Sequence, residues 1–186
     1  MESRLVTLSS PGCTAIWEIA DGGIPLWRYW GPRLPNACMP SRPIAAERPE
    51  RTFSTERDFP LSVAPGIGGG GFGPSVLALH RAGRDWCFEA GSCTVEQPDA
   101  QSVRFALEDG VAQVALTIAA RLDPSTDVLH LAATLTNLGD ATIDVQWLAA
   151  GAVPLPPDAR EVTSWGGRHN AEWAEAVEPL GRAIWR

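Results

Sequence analysis

Residues 66–73 read GIGGGGFG, and this stretch has the composition most often associated with binding a phosphate group. A phosphate loop also needs a strand before it, a helix after it and usually a lysine followed by serine or threonine. Pro74 follows the loop instead, and Val76, Leu77 and Leu79 continue in an extended pattern. We therefore predict a surface loop whose glycines allow it to bend, and no nucleotide site.

The three histidines are candidates for acid–base chemistry, but none stands beside a serine or cysteine in a nucleophile motif. His80 has no such neighbour, and His130 alternates with Thr134 as an ordinary strand residue would. His169 lies in residues 164–173, SWGGRHNAEW, the densest mixture of aromatic and charged residues in the chain. Two interpretations stay open for these tryptophans: a sugar-binding surface, or packing inside and between sheets.

Glycoside hydrolysis requires two carboxyl groups that face one bond from about 5–10 Å apart. The sequence identifies no such pair, because most of the candidate acids stand in turn contexts, where their side chains bind nearby backbone amides. These acids are Asp58, Glu89, Asp109, Asp123, Asp127 and Asp140. We therefore assign no catalytic residue to this chain.

The four cysteines, Cys13, Cys38, Cys87 and Cys93, form no CxxC pair and no grouping with histidine. Neither a zinc site nor a redox motif is predicted, and free thiols are expected. We expect no metal and no cofactor.

Length and charge limit the possible partners. The 186 residues suffice for one domain, residues 1–186, with a sizeable core. A net charge of −7 argues against nucleic acid, which requires clustered basic side chains. No run of about twenty apolar residues offers a membrane span, and the N-terminal MESRLVTLSSPG lacks the apolar core of a signal peptide. A cytoplasmic location without a membrane partner is expected.

The dominant periodicity along the chain is two, which is typical of half-buried strands. Residues 113–122 place one set of alternate residues on one face and the other set on the opposite face. The first set is Val114, Leu116, Ile118, Ala120 and Leu122, and the second is Gln113, Ala115, Thr117 and Ala119. The same pattern recurs at residues 129–136 and 142–147. We expect these last two segments to be adjacent antiparallel strands. The turn residues Asp21–Gly23 and Gly110 predict two further hairpins.

No amphipathic helix of ten residues or more is evident, and sixteen prolines would break most candidates. The predicted fold is all-β, with two packed antiparallel sheets in a β-sandwich. Residues 36–60 interrupt the alternation with prolines, arginines and glutamates. We expect a long irregular excursion between sheet elements, of the kind that is often functional or intersubunit.

An ordered series of segments resembles the N-terminal region of bacterial α-galactosidases (melibiases) of glycoside hydrolase family 36. The segments run from Thr14 to Trp173, nearly the whole chain, in the order found in that family. They are TAIWEIADGGIPLWRYWGPRL, ERDFP, the glycine loop with LALHR, LDPSTDVLHLAATLTNLGD, AGAVPLPPDAREV and WGGRHNAEW. Each is weak alone, and the ordered set is more specific.

The resemblance implies a β-supersandwich of the galactose-mutarotase-like type that precedes a (β/α)₈ barrel. In that family, the two catalytic aspartates of a retaining mechanism belong to the barrel, which this sequence does not encode. We therefore expect an incomplete sandwich that does not hydrolyse glycosides alone, with α-galactosides as substrates of the parent enzyme.

The resemblance also implies homo-oligomers in which loops of this domain help to shape a neighbour's active site. Asp58, in the matching segment, is then a candidate contact to a sugar hydroxyl, and Phe72 is a candidate anchor of the glycine loop at the same site. The family's acidic residue and Asp-x-Arg element after Pro60 are missing here. Asp58 as a cap or ion-pair partner of Arg57 stays an open alternative.

Two other functions stay open beside that of an α-galactosidase domain. One is an independent carbohydrate-binding or mutarotase-like protein, in which a histidine, either His80 or His169, would have to supply acid–base chemistry together with Glu172. The other is a purely structural interaction domain. Exposed apolar surface at a sheet edge would favour the domain of a larger enzyme.

Overall fold

The computed structural model describes residues 3–19, 23–35, 61–66, 75–155 and 159–180. All regular structure in these ranges is β-strand, and no helix occurs in them. This confirms the predicted all-β fold. The chain divides into two compact units, Met1–Pro154 and Leu155–Arg186. The single-domain span 1–186 stays a prediction.

The strands form one three-stranded sheet, one four-stranded sheet and two two-stranded ladders, with orders β1-β2-β3, β5-β6-β7-β8, β4-β9 and β10-β11. Their bounds are β1 Arg4–Ser9, β2 Cys13–Ile19, β3 Leu26–Pro32, β4 Leu77–His80, β5 Ser92–Asp99, β6 Ser102–Asp109, β7 Val114–Leu122, β8 Leu129–Asn137, β9 Asp144–Leu148, β10 Glu161–Arg168 and β11 Ala171–Pro179. All pairings between these strands are antiparallel.

The predicted hairpin on both sides of Asp21–Gly23 is present as the antiparallel pair β2–β3. Residues 20–22 of its turn lie outside the described ranges. The preceding turn, between β1 and β2, closes through hydrogen bonds between Ser10 and Cys13. The Ser10 amide donates to the Cys13 carbonyl at 2.9 Å, and the Cys13 amide donates to the Ser10 hydroxyl at 3.1 Å. A serine side chain thus substitutes for a backbone acceptor in a tight turn.

The hairpin predicted around Gly110 is the pair β6–β7. Its turn is longer than one glycine, because Gln113, expected in the strand, has a φ of 52° and lies in the turn. The buried Asp109 carboxylate closes this turn by accepting hydrogen bonds from the amides of Val111 (2.8 Å) and Ala112 (2.9 Å). The turn role predicted for Asp109 is therefore confirmed.

The core of the first unit lies between the inner faces of the three- and four-stranded sheets, which makes this unit a sandwich. Trp17 of β2 is fully buried and joins the sheets. Its ring lies 4.5 Å from that of Trp27 and 5.4 Å from that of Phe105, on β6. Every second residue of β7, from Val114 to Leu122, is buried, as the alternation predicted.

The prediction that the strands after Asp127 pair with each other is wrong. β8 pairs with β7, whereas β9 pairs with β4 in a separate ladder. The guanidinium of Arg81, just after β4, donates to the carbonyl of Ala141, and the Ala149 amide donates to the Val76 carbonyl at 2.8 Å. These bonds draw the chain across to β4, a partner that local alternation does not reveal.

Candidate functional site

The two residues that the sequence nominated for sugar contact cannot be placed. Asp58 lies in residues 36–60 and Phe72 in residues 67–74, and both segments are outside the described ranges. Their roles stay predictions. The described residues do place the segment 164–173, which the sequence singled out for its tryptophans.

That segment forms the end of the β10–β11 hairpin, which we call the tryptophan tip. It comprises Trp165, Arg168, His169, Asn170, Glu172 and Trp173. The reversal uses two residues between the strands, and Asn170 takes a φ of 64°, which asparagine tolerates better than most residues. The Asn170 amide donates to Glu172 Oε1 at 3.0 Å, so the glutamate closes the turn.

A bulge near Gly167 alters the register of the hairpin close to the tip. Gly166 pairs with Ala174, but Arg168 pairs with Ala171, so Gly167 of β10 lies opposite two residues of β11, Glu172 and Trp173. Trp173, which lies in this bulge, has a φ of 65°. Such a conformation is rare for a bulky side chain and costs free energy, and residues of this kind concentrate at functional sites.

Both tryptophans of the tip are exposed. Trp165 is 60% exposed and Trp173 is 82% exposed, so neither packs in a core. His169 Nδ1 lies 4.0 Å from Glu172 Oε1 beside them. Indole faces together with carboxylate and imidazole groups can contact a sugar ring and its hydroxyls, or a second protein surface. The sequence left two interpretations of these tryptophans open, core packing and sugar binding. Their exposure excludes core packing for Trp165 and Trp173.

A second exposed apolar surface runs along β9, and we call it the β9 face. It carries Val145 and Leu148 on one side of the strand and Trp147 on the other. Val145, Trp147 and Leu148 are 47%, 56% and 37% exposed. In the four-stranded sheet, β8 is an edge strand, and its inner residues are only half-buried. Exposed apolar strands and free sheet edges are typical of surfaces that another protein segment covers.

Comparison with protein families identifies the chain. The model of the glycosyl hydrolase family 36 N-terminal domain matches residues 23–186. The chain belongs to this family. The resemblance seen in the sequence is thereby confirmed.

A solved structure shows the same fold as this family 36 domain. The crystal structure of the alpha-galactosidase from Lactobacillus brevis matches with a TM-score of 0.70 and 16% sequence identity. The match covers 95% of this chain and 27% of that chain. The chain therefore spans about a quarter of the length of that structure. A search of curated proteins gave no match, and no helix in the described ranges has the length and apolar character to cross a membrane.

The histidines of the family 36 domain occupy different settings. His80 is held by neighbours: its Nδ1 lies 3.3 Å from Asp144 Oδ2, and its ring lies 4.6 Å from that of Trp86. His169 faces solvent with its side chain 91% exposed. Among the ion pairs of the described residues, that of His169 joins a histidine to a glutamate, Glu172, as the sequence suggested for acid–base chemistry. At that exposure the pair lacks the water-excluding surroundings that favour such catalysis.

The described cysteines of the family 36 domain, Cys13, Cys87 and Cys93, are free thiols. Burial raises the pKa of the Cys93 thiol to about 11, so it is protonated at neutral pH and reacts slowly. Cys38 lies outside the described ranges. Within those ranges, no three histidine, cysteine, aspartate or glutamate side chains come together as metal ligands.

Proposed function

We propose that the chain is the non-catalytic N-terminal β-sandwich domain of an α-galactosidase-like glycoside hydrolase. In this role it supports oligomerisation and helps to shape the sugar site, and α-galactosides are substrates of the parent enzyme. The family match over residues 23–186 carries the proposal, and the likeness to an alpha-galactosidase of which it spans 27% supports it. A cytoplasmic parent enzyme of the melibiase type belongs to the same proposal.

The β9 face supports the assembly part of this role. Val145, Trp147 and Leu148 are three large apolar side chains exposed along one short strand, and clustered exposed apolar side chains mark interaction sites. Covering these side chains with protein would release about 25 cal/mol for each Å² of apolar surface removed from water. We infer that this face is covered in the assembled enzyme.

The tryptophan tip supports the sugar part of the role. A two-stranded hairpin is marginally stable alone, so a hairpin that carries two exposed indoles gains stability when its end contacts a partner or ligand. Trp165 and Trp173 offer flat apolar faces, and Glu172 offers acceptors for hydroxyl groups. With Asp58 and Phe72, these residues are our candidates for the domain's contribution to the sugar site.

An independent carbohydrate-binding or mutarotase-like protein is the second candidate function. The 82% exposure of Trp173, next to Glu172 and His169, favours it, because such a group can bind sugar without a barrel. The two candidates differ in what the chain does alone. An independent protein binds or converts sugar by itself, whereas a domain binds weakly and converts nothing.

The first test measures activity and sugar binding of the purified chain. We expect no cleavage of a chromogenic α-galactoside and no change in the rate of galactose anomerisation, together with weak heat of binding for raffinose. Trp173→Ala should weaken that binding about 2- to 10-fold, as expected for loss of one aromatic contact. Trp86→Ala, an exposed tryptophan of the first unit, is the control. Cleavage by the chain would overturn the non-catalytic role, and catalysed anomerisation would establish the second candidate.

The second test measures self-association by sedimentation velocity. We expect wild type to associate with rising concentration, and Val145→Lys to shift it toward the monomer, because a charge on the β9 face opposes desolvation. Val111→Lys is the matched control, since Val111 is 88% exposed and lies in the β6–β7 turn and not on β9. A wild-type chain that stays monomeric, or equal effects of the two variants, would contradict a role of the β9 face in association.

A further inference from the structure

The outer face of the four-stranded sheet carries a groove of about 460 Å³, within the range of about 300–1,000 Å³ typical of small-molecule sites. It lies wholly within the first unit. Its main polar and small residues are Ser102, Arg104, Ala119, Arg121, His130 and Ala132. All six belong to the alternate positions of β6, β7 and β8 that point away from the core.

The strand register organises these residues into two rows across the sheet. Arg121 pairs with Ser102 on one side and with His130 on the other. Ala119 pairs with Arg104 on one side and with Ala132 on the other. The second row therefore places two methyl groups side by side as an apolar floor, bordered by long polar side chains.

Much of the hydrogen-bonding capacity around this floor is unused. Arg104 makes one ion pair, with Glu96 at 3.2 Å, and Arg121 makes one, with Asp123 at 3.5 Å. A guanidinium has five N–H donors, so most donors of both arginines face solvent. Within the described ranges, the side chain of His130 makes no hydrogen bond or ion pair.

The charges around the groove indicate a neutral ligand. Glu96 and Asp123 offset the two arginines, and Asp99 adds a further carboxylate to the lining. A phosphate or polyanion would meet no excess of positive charge here. A ligand with an apolar face and many hydroxyls matches an alanine floor bordered by donors and acceptors, and this is the chemistry of a saccharide.

We propose that this outer-face groove binds a neutral oligosaccharide of two or three sugar units. Three strands span about 10 Å, which accommodates such a chain lying across β6, β7 and β8. The site is open and shallow, so we expect a Kd of about 1 mM. The proposal goes beyond the function proposed above, since it requires neither a parent enzyme nor the tryptophan tip.

The test follows amide shifts of the ¹⁵N-labelled chain on titration with raffinose. We expect saturable shifts at Ala119, Ala132 and Arg104. Ala132→Phe should fill the floor and weaken binding at least about tenfold. Ala106→Phe is the matched control, because Ala106 is an exposed alanine of the same sheet face that does not line the groove.

Arg104→Gln provides a second variant that leaves the floor intact and should weaken binding less than Ala132→Phe. No saturable shift in the groove at concentrations about tenfold above the expected Kd would overturn the proposal. So would shifts confined to Trp165 and Trp173, which would instead support the tryptophan tip. Shifts with inorganic phosphate but not with raffinose would also overturn it, because the groove would then be an anion site.

Discussion

At the scale of single residues, the buried Arg81 holds three loops of the first unit together without a carboxylate partner in the described ranges. Its guanidinium donates to the carbonyls of Ala112 and Gln113, each at 3.1 Å, to Asn137 Oδ1 at 2.6 Å and to the carbonyl of Ala141. These acceptors belong to the β6–β7 turn, the end of β8 and the segment before β9. One fork-shaped cation thus pairs the carbonyl of the buried Ala112 and connects it to acceptors on two other segments.

Arg81→Ala should therefore reduce the free energy of unfolding by about 2–4 kcal/mol, since the buried Ala112 carbonyl loses its donor and the three segments lose their link. Arg81→Lys should recover only part of the lost stability, because the compact ammonium group cannot reach all the acceptors that the planar guanidinium binds. Urea unfolding measures the effect.

Arg84→Ala is the control for this pair of variants. Arg84 is exposed, and its bonds to Arg81 run through backbone atoms only. Equal midpoints for Arg81→Ala and Arg84→Ala would show that Arg81 does not stabilise the fold in this way.

At the scale of elements, the β10–β11 hairpin depends on one glycine. A Cβ built on Gly167 would overlap the Ala171 carbonyl oxygen and lie 2.7 Å from Glu172 Cα, both backbone atoms of the facing strand. A Cβ on Gly166, its neighbour, would meet nothing within 4 Å. At position 167, the two strands can therefore approach this closely only if the residue has no side chain. At position 166, a side chain has room.

Gly167→Ala should open the tip, whereas Gly166→Ala should leave it intact or slightly more stable. Limited trypsin digestion measures this directly, because Arg168 is the next residue and becomes cleavable when the turn opens. We expect faster cleavage after Arg168 in Gly167→Ala than in wild type. Equal rates for the two alanine variants would refute the steric role of Gly167.

The β4–β9 ladder shows how an element can depend on distant partners. Its two strands are separated in sequence by the whole four-stranded sheet, so the ladder forms only between segments that this sheet has brought together. Closing the long loop between such distant strands costs conformational entropy before any contact between them forms. The exposed β9 face is thus supported by the fold of the first unit.

At the scale of the whole molecule, the two large sheets meet at their turns as well as in the core. Asp127, in the β7–β8 turn, accepts a hydrogen bond at 2.9 Å from the amide of Gly12, in the β1–β2 turn. A hydrogen bond from the Ser10 hydroxyl, followed by that from Gly12, lowers the pKa of the Asp127 carboxyl. The ionised carboxylate is therefore the form that stabilises this contact.

Because the folded-state pKa of Asp127 is lowered, its contribution is present above the unfolded value of about 3.9 and is lost as pH falls through the folded value. Asp127→Asn should be less stable than wild type at about pH 7, and the difference should shrink at about pH 3. Asparagine tolerates the φ of 58° at this position, so the change isolates the charge. Urea unfolding at both pH values measures it.

Asp140→Asn, an exposed carboxylate of another turn, is the control for acid effects in general. The same pH dependence in both variants would contradict a specific role of the Asp127 contact.

The sequence by itself determined the all-β class, the alternating faces of β7 and β8, two hairpins and the family. These depend on a period of two and on turn residues within a few positions, and both are local properties. It also drew attention to residues 164–173, because aromatic and charged residues are concentrated there.

Only the tertiary structure decided which strands are neighbours and which tryptophans are buried. Trp17 and Trp173 are the same residue type and both lie in strands, yet one joins two sheets and the other is 82% exposed. Likewise β9 pairs with β4 and not with β8, because Arg81 and Val76 bind backbone groups on both sides of it. Burial and pairing depend on residues far apart in the chain, and local sequence patterns do not encode those distances.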